Sequence, residues 1–377
     1  METITKKLIP AVFIITAVAT AIFLSRGQIS KLLFKPKPVL PEKVAEKNQK
    51  NVLEIIAQNL QIPWEIAFLP DGDLLVTERP GALKRIGANG NTFNIEGVRH
   101  IGEGGLLGMA LHPEFPQNRW LYLYFTTETK NGLKNRVERY RLEENSLQEK
   151  KTIIDNIPGA KYHDGGRIAF GPDGNLYITT GDANNSKLAQ DLNSLAGKIL
   201  RLKDNGLIPA DNPFGNTVWS YGHRNPQGLA WDDERRLWAT EHGRSGLLSG
   251  LDEFNLIEKG ANYGWPIIQG DEKRDGMRSP IIQSGPDKTW APAGAVYFNG
   301  SIFFAGLRGE SIYQTEISGN SILTPPAAHL TGEFGRLRNI KIGKDGFFYI
   351  ITSNTDGRGE LRPEDDKIIR LNPNIFK

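Results

Sequence analysis

The chain has 377 residues, enough for two average domains or for one large all-β or α/β domain. Hydrophobic residues make up 39% and charged residues 24%, so a packed core is feasible and global disorder is excluded. Cysteine is absent, which excludes disulfides, zinc–thiolate sites, iron–sulfur clusters and a cysteine nucleophile. The net charge of +3 is uneven: nine Lys/Arg against three Glu give +6 in residues 1–50, so residues 51–377 carry −3. A mildly acidic globular part argues against nucleic-acid binding, which needs a basic surface.

The first 25 residues have the layout of a secretory signal peptide or of a short membrane anchor. Lys6 and Lys7 precede an uncharged apolar stretch that runs from Leu8 to Ser25. About 17 apolar residues lie at the lower limit of a spanning helix, for which ~20 is usual. The sequence therefore predicts export to the periplasm or the extracellular space, with cleavage and membrane anchoring both left open.

A linker and one large domain are predicted after this leader. Residues 26–50 contain Lys35-Pro-Lys-Pro38 and few large apolar groups, which is typical of an extended linker. The apolar periodicity starts after it, so we place the globular domain at residues 51–377.

Six hairpin patterns follow one another along this domain. Residues 66–77, 168–179 and 340–351 each have two apolar runs separated by Asp-Gly, the strongest short-range hairpin signal. Looser copies have their turns near residues 118, 233 and 300. Helical periodicity is confined to residues 188–195.

The spacing of these turns predicts a six-bladed β-propeller with four-stranded antiparallel blades. Successive turns lie about 46 to 67 residues apart, and propeller blades repeat every ~40–50 residues with loops adding to that length. Ring closure needs the two chain ends in one blade, and residues 52–57 are suited to pair beside residues 367–371. The alternative is a β-sandwich with unrelated Asp-Gly turns.

Four polar motifs in the loops are more specific than the fold. They are Glu103–Gly108, Tyr162–Arg167, Tyr221–Ala230 and Asn262–Pro266. In this order the set resembles the soluble glucose dehydrogenase and aldose sugar dehydrogenase family, over roughly residues 52–373. The resemblance implies a six-bladed propeller that uses pyrroloquinoline quinone (PQQ) and calcium.

The chemistry of such an enzyme can be stated independently of the resemblance. Oxidation of a sugar hydroxyl needs a base for the O–H proton and an acceptor for the hydride. No side chain accepts hydride, so an organic cofactor is required. PQQ carries three carboxylates, and its pocket therefore needs arginine or lysine.

The resemblance assigns most of the catalytic machinery to five residues. His163 matches the catalytic base and lies at the cofactor. Arg224 and Asn225 match the pair beside the quinone oxygens, where a cation and an amide stabilise developing charge. Arg336 and Arg338, two apart on one strand, match the arginines that lie against the cofactor plane.

Three further residues match cofactor-binding positions. Arg308 lies where the family has a lysine or arginine for a cofactor carboxylate, and Thr289 lies near a second carboxylate contact. Glu103 departs from the family, because the best-known sugar dehydrogenase has a glutamine that touches the cofactor there. A carboxylate beside an anionic cofactor is unfavourable unless neighbouring arginines compensate.

The resemblance also implies two calcium positions. Gly243 and Arg244 match the residues whose backbone carbonyls hold the cofactor-bound ion, although the family commonly has proline at the second. Glu253 and Tyr263 match a further position, and hard oxygen ligands of this kind suit Ca²⁺.

We therefore predict an exported PQQ- and calcium-dependent enzyme that oxidises the C1 hydroxyl of an aldose to the lactone. The electron acceptor is unknown, and the enzyme is expected to be a monomer or a homodimer. Two alternatives stay open: a noncatalytic propeller that binds sugar or protein, and a calcium-dependent lactonase, which would need several side-chain carboxylates and amides around a central calcium.

Overall fold

The structure is a computed structural model that describes residues 53–246 and 249–376. The predicted leader and linker lie outside the described residues. None of the helices within the described ranges is both long enough and apolar enough to cross a membrane.

The described residues form six antiparallel sheets, which are the blades of a propeller. Strand β1 spans Leu53–Ala57. Blade 1 contains β2 (Pro63–Phe68), β3 (Leu74–Glu78), β4 (Ala82–Ile86) and β5 (Asn91–Asn94). Blade 2 contains β6 (Leu106–Leu111), β7 (Trp120–Thr129), β8 (Gly132–Leu142) and β9 (Leu147–Pro158). Blade 3 contains β10 (Ile168–Phe170), β11 (Leu176–Thr180), β12 (Lys198–Leu202) and β13 (Val218–Tyr221).

The remaining three blades complete the ring. Blade 4 contains β14 (Pro226–Trp231), β15 (Leu237–Glu241), β16 (Glu253–Ile257) and β17 (Ile282–Gln283). Blade 5 contains β18 (Pro292–Phe298), β19 (Ser301–Gly306), β20 (Ile312–Ser318), β21 (Ser321–Ile322) and β22 (Ala327–His329), with β22 paired to β20. Blade 6 contains β23 (Leu337–Ile342), β24 (Phe348–Thr352) and β25 (Ile368–Leu371). Single helical turns occur at Phe115–Asn118, Ser186–Gln190 and Pro373–Phe376.

All six predicted hairpins are confirmed as the first two strands of a blade. Residues Ile66 and Val76 pair across the first of them, and Ile168 and Ile178 pair across the third. The Asp-Gly turns work because glycine adopts positive φ without steric cost: φ is +96° at Gly72 and +76° at Gly174. The six-bladed propeller is therefore confirmed.

The predicted ring closure is also confirmed. Strand β1 pairs antiparallel with β25, with Leu53 opposite Leu371 and Ile55 opposite Ile369. The order in blade 6 is β1-β25-β24-β23, so the start of the described chain supplies the outermost strand of the last blade. Apolar side chains fill the space between neighbouring blades, as with Tyr122 and Leu200 of blades 2 and 3 in one buried cluster.

A buried ion pair crosses the central channel. Glu65 on β2 is fully buried and pairs with the Arg167 guanidinium, which also stacks 4.1 Å above the Trp64 ring. Glu65 accepts a hydrogen bond from Asn339, and Arg167 donates to the backbone oxygen of Gln227 (2.8 Å). The network joins blades 1, 3, 4 and 6 at the axis, because a buried charge needs both a partner and satisfied hydrogen bonds.

Candidate active site

Loops from several blades meet at one end of the channel. Because the blades repeat one strand order, the segments that precede each innermost strand lie at the same end of the ring. The segments before β6, β10 and β14, the segment after β15 and the β24–β25 loop contact one another there. These are the loops that carry the polar motifs of the sequence.

His163 is anchored at three points. Its backbone amide donates to Oε2 of Glu103 (3.0 Å), and its carbonyl accepts from the amide of Ala183 (3.2 Å). Its ring nitrogen Nδ1 lies 2.8 Å from Oδ1 of Asp182. With Nδ1–H donated to a carboxylate, Nε2 is the nitrogen that can accept a proton. The backbone is left-handed here, with φ +63°, which is uncommon for a residue with a side chain.

Asp182, which the sequence analysis missed, orients this imidazole. Its second carboxylate oxygen accepts the indole N–H of Trp265 (2.8 Å), and its own amide donates to the carbonyl of Arg224 (2.8 Å). Asp164 follows His163 in the chain but faces elsewhere, since its carboxylate accepts from Asn135 Nδ2 (3.0 Å). The available signal for Asp182 was its position two residues after the end of β11.

Glu103 is ion-paired in the structure. Its Oε1 lies 2.8 Å from Nη1 of Arg358, a residue of the β24–β25 loop that the sequence analysis did not select. Burial alone would raise the pKa of Glu103, but Arg358 and the His163 amide hold it well below its usual range. The arginine neighbour that a carboxylate needs at this position is therefore present.

Arg224 and Asn225 are both buried beside His163. The guanidinium of Arg224 donates to the His242 carbonyl (3.2 Å) and to the Ser245 hydroxyl (3.0 Å). The side-chain oxygen of Asn225 accepts the amide of Gly165 (3.0 Å), two residues after the candidate base. The pair thus connects the base segment to the loop that follows β15.

Arg336 and Arg338 are also brought to this channel mouth. Arg336 forms a buried ion pair with Asp356, 2.8 Å from Nη2 to Oδ2. Arg338 donates to Oε1 of Gln227 (2.7 Å). Burial, with Arg79 and Arg336 adding to the effect, lowers the pKa of Arg338 to about 9. Asp356, four residues after β24, is a further residue that the sequence analysis missed.

Several buried nitrogens of polar side chains line the mouth of the channel. Across the described ranges, four buried nitrogens there have no hydrogen-bond partner: Arg79 Nε, Asn225 Nδ2, His242 Nε2 and Arg338 Nε. Burial lowers the pKa of His242 to about 3, with Arg338 and Arg224 adding to the shift and Glu103 opposing it. A cationic cluster with unused donors suits an anionic ligand that offers several acceptor oxygens.

Asp252 organises the loop that follows β15. One of its oxygens accepts the amide of Gly243 (2.8 Å), and the other accepts the hydroxyl of Thr289 (2.6 Å) and the amides of Trp290 and Ala291 (2.7 and 2.8 Å). Burial raises the pKa of Asp252 despite these donors. Arg308 contacts the other end of the same loop, at Gly246 and Ser249. The predicted residues Gly243, Thr289 and Arg308 therefore lie around one loop.

The predicted calcium ligands divide into two places. The Arg244 carbonyl accepts from the amide of Gly250 (3.4 Å) within the loop. Glu253 lies directly across from Glu241 in the β15–β16 ladder, and burial together with Glu241 raises its pKa. Tyr263 is buried, stacks on His223 with ring centroids 4.7 Å apart, and donates its hydroxyl to the Leu256 carbonyl. No cluster of three or more His, Asp and Glu arranged to hold a metal occurs in the described part of the chain.

Known proteins share the sequence pattern of this chain. The sequence model of the "Glucose / Sorbosone dehydrogenase" family matches residues 60–369. The aldose sugar dehydrogenase YliI of Escherichia coli is 32% identical over 81% of this chain and 91% of its own length. Quinoprotein glucose dehydrogenase B of Acinetobacter calcoaceticus is 32% identical over 68% of this chain and 61% of its own.

A solved structure extends this similarity to the backbone. The PQQ-bound form of the aldose sugar dehydrogenase of Streptomyces coelicolor is 42% identical, covers 85% of this chain and 97% of its own, and superposes with a TM-score of 0.79. The family match reaches all six blades and includes the loops that hold His163 and Arg224 and the strand that holds Arg338. This chain belongs to the glucose/sorbosone dehydrogenase family.

Proposed function

We propose that this chain is an exported, PQQ- and calcium-dependent aldose dehydrogenase that oxidises the C1 hydroxyl to the lactone. One observation carries the proposal: an imidazole oriented by Asp182 stands at the edge of a cationic cluster with unused hydrogen-bond donors. Pure binding of a sugar would need no such base. The relatives named above, an aldose sugar dehydrogenase, a quinoprotein and a PQQ-bound enzyme, support the same function.

The donor set fits PQQ, which carries three carboxylates and a flat ring. Arg336, Arg338 and Arg308 would supply cations for the carboxylates and the ring face, and Thr289 a hydroxyl. The unpaired Asn225 Nδ2 and the Arg224 guanidinium would face the quinone oxygens. Guanidinium groups are suited to both tasks, because they bind carboxylates bidentately and stack on flat rings.

His163 has the geometry of a general base. The bound cofactor would supply the acceptor for the hydride, which carries both electrons of the oxidation. The chain's part is to take the proton of the C1 hydroxyl onto Nε2 of His163, while the C1 hydrogen departs with the bonding electron pair. Asp182 holds the imidazole in the tautomer that leaves Nε2 unprotonated and stabilises the imidazolium that forms.

Calcium is proposed at the positions that the family resemblance implies. The carbonyls of Gly243 and Arg244 would hold an ion against the cofactor. Glu253 and Tyr263 would contribute to a second position. The half-buried Glu253 lies opposite the buried Glu241 in the β15–β16 ladder, and two neighbouring carboxylates favour a cation there.

One titration tests the proposal. Purified protein is titrated with PQQ in the presence of Ca²⁺, and glucose-dependent reduction of a redox dye is then measured. We expect a rise in melting temperature by ligand linkage and aldose-dependent turnover. His163→Ala is expected to keep PQQ binding and to lose about 10²–10⁴ in turnover, the usual contribution of a general base.

Three outcomes would count against the proposal. Absence of PQQ binding would favour the noncatalytic propeller. Binding without turnover on any aldose would mean that the substrate or the electron acceptor is wrong. Turnover of the loaded His163→Ala variant near the wild-type rate would remove His163 from the mechanism.

A further inference from the structure

Glu103 holds the segment before the candidate base at two backbone points. Its amide donates to the carbonyl of Lys161 (2.8 Å), and its Oε2 accepts the amide of His163 (3.0 Å). Gly102 packs so tightly on this segment that a Cβ there would lie 2.0 Å from the Lys161 oxygen. The turn before β6 is thus attached to the base segment through both main-chain and side-chain contacts.

His163 needs such an attachment because its backbone is left-handed. A residue with a side chain keeps a φ near +63° only where its surroundings determine it. The carbonyl of His163 is held by Ala183 and the ring by Asp182, so Glu103 completes the set by holding the amide. Without that acceptor, the amide would lose its partner beside a partly buried site.

Arg358 holds the Glu103 carboxylate in place. Its Nη1 lies 2.8 Å from Oε1 of Glu103, and its own amide donates to Oδ1 of Asp356 (2.9 Å). Asp356 in turn pairs with Arg336. A continuous series of two ion pairs and two backbone-amide hydrogen bonds therefore runs from Arg336, a candidate cofactor residue of blade 6, to the backbone of His163 between blades 2 and 3.

We propose that Glu103 is a positioning residue for His163, held in place by Arg358, rather than a direct contact of the cofactor. The family resemblance implies a cofactor contact at this position, so the two roles make different predictions. In the structure each carboxylate oxygen of Glu103 has a protein partner, one on the base segment and one on Arg358. The catalytic part of this inference rests on the proposed function.

The first measurement needs neither cofactor nor turnover. The chain has only six histidines, so labelling histidine alone with ¹⁵N gives a small set of backbone amide signals. We expect exchange of the His163 amide to accelerate at least about tenfold in Glu103→Ala, because its acceptor is removed. Glu103→Gln keeps an acceptor oxygen and should keep most of the protection. Unchanged protection in Glu103→Ala would overturn the inference.

The second measurement separates positioning from cofactor binding. Glu103→Ala is expected to lower kcat about 10- to 100-fold at saturating PQQ, the scale of a misplaced catalytic group. The dissociation constant for PQQ should stay within about threefold, and Glu103→Gln should recover most of kcat. Arg358→Gln should lower kcat less than Glu103→Ala does. It removes the ion pair of Glu103 but leaves the carboxylate that accepts the His163 amide. Arg278→Gln, which breaks the exposed pair with Glu258, is the matched control and should behave as wild type.

Two results would overturn this second part. Weaker PQQ binding by Glu103→Ala with wild-type kcat at saturation would make Glu103 a cofactor contact. Equal loss of kcat in Glu103→Gln and Glu103→Ala would show that the acceptor oxygen is not what matters. If the wild type shows no turnover at all, the proposed function fails, and the amide-exchange measurement alone decides the positioning role.

Discussion

The carboxylate of Asp182 lies 2.8 Å from Nδ1 of His163 and, through its other oxygen, 2.8 Å from the indole nitrogen of Trp265. It therefore joins the candidate base, in the segment between blades 2 and 3, to the loop between β16 and β17 of blade 4. Both partners are donors, so the carboxylate sets the direction of the imidazole and its tautomer together.

Asp182→Asn should uncouple orientation from charge. An asparagine offers one acceptor oxygen to two donors. When that oxygen accepts the Trp265 indole N–H, the amide nitrogen faces Nδ1 of His163 and favours the opposite imidazole tautomer. We expect turnover to fall by about 10²- to 10⁴-fold, as in other histidine–carboxylate pairs. Steady-state dye reduction with saturating PQQ measures this. The PQQ dissociation constant should change little, and a variant with wild-type turnover would contradict the role of Asp182.

Asp164→Asn should change stability in a pH-dependent way. Burial raises the pKa of Asp164 to about 7, and one of its oxygens has no partner within the described residues. Between pH 4 and 7 the folded chain keeps a proton that the unfolded chain has released, so the wild type loses stability as the pH rises. The asparagine has no such proton to lose.

We expect the stability of Asp164→Asn relative to the wild type to increase by about 2 kcal/mol between pH 5 and pH 8. Thermal unfolding at both pH values measures the difference. A constant difference would show that Asp164 titrates in its ordinary range.

Asp252→Asn should loosen the loop that follows β15. The carboxylate accepts four hydrogen bonds, from Gly243, Thr289, Trp290 and Ala291, and an amide nitrogen cannot replace either oxygen. We expect weaker PQQ binding in the presence of Ca²⁺, by about tenfold, which corresponds to ~1.4 kcal/mol. Calorimetric titration measures it, and Thr289→Val, which removes one of the four donors, should have a smaller effect. Equal affinity in Asp252→Asn and the wild type would place this loop outside the cofactor site.

Glu65→Gln should destabilise the ring from its axis. The substitution leaves Arg167 buried without a counter-charge, a loss that typically costs about 3–5 kcal/mol. Chemical denaturation measures it. Glu54→Gln is the control, because Glu54 on strand β1 forms an exposed ion pair with Arg370. Its free energy of unfolding should stay within about 0.5 kcal/mol of the wild type. Similar effects of the two substitutions would mean that the channel ion pair contributes little.

Local sequence signals determined the blades and the loops that carry the candidate site residues. An Asp-Gly pair between two apolar runs specifies a hairpin through the φ values of its own residues, whatever the rest of the chain does. Six such hairpins at blade spacing, with apolar runs at both ends of the domain, were sufficient for the propeller and its closure. His163 and Arg224 could be selected because they lie in recognisable motifs, and Arg338 because it and Arg336 match two arginines of the family on one strand.

The partners of those residues were decided by the tertiary structure alone. Glu103 and Arg358 are 255 positions apart, and Glu65 and Arg167 are 102 apart, so no local pattern relates them. Each pair forms because closure of the ring brings loops or innermost strands of different blades to one axis. A carboxylate in the sequence can be a ligand, a counter-charge or the acceptor of a backbone amide. Only the groups that the fold places beside it distinguish these roles.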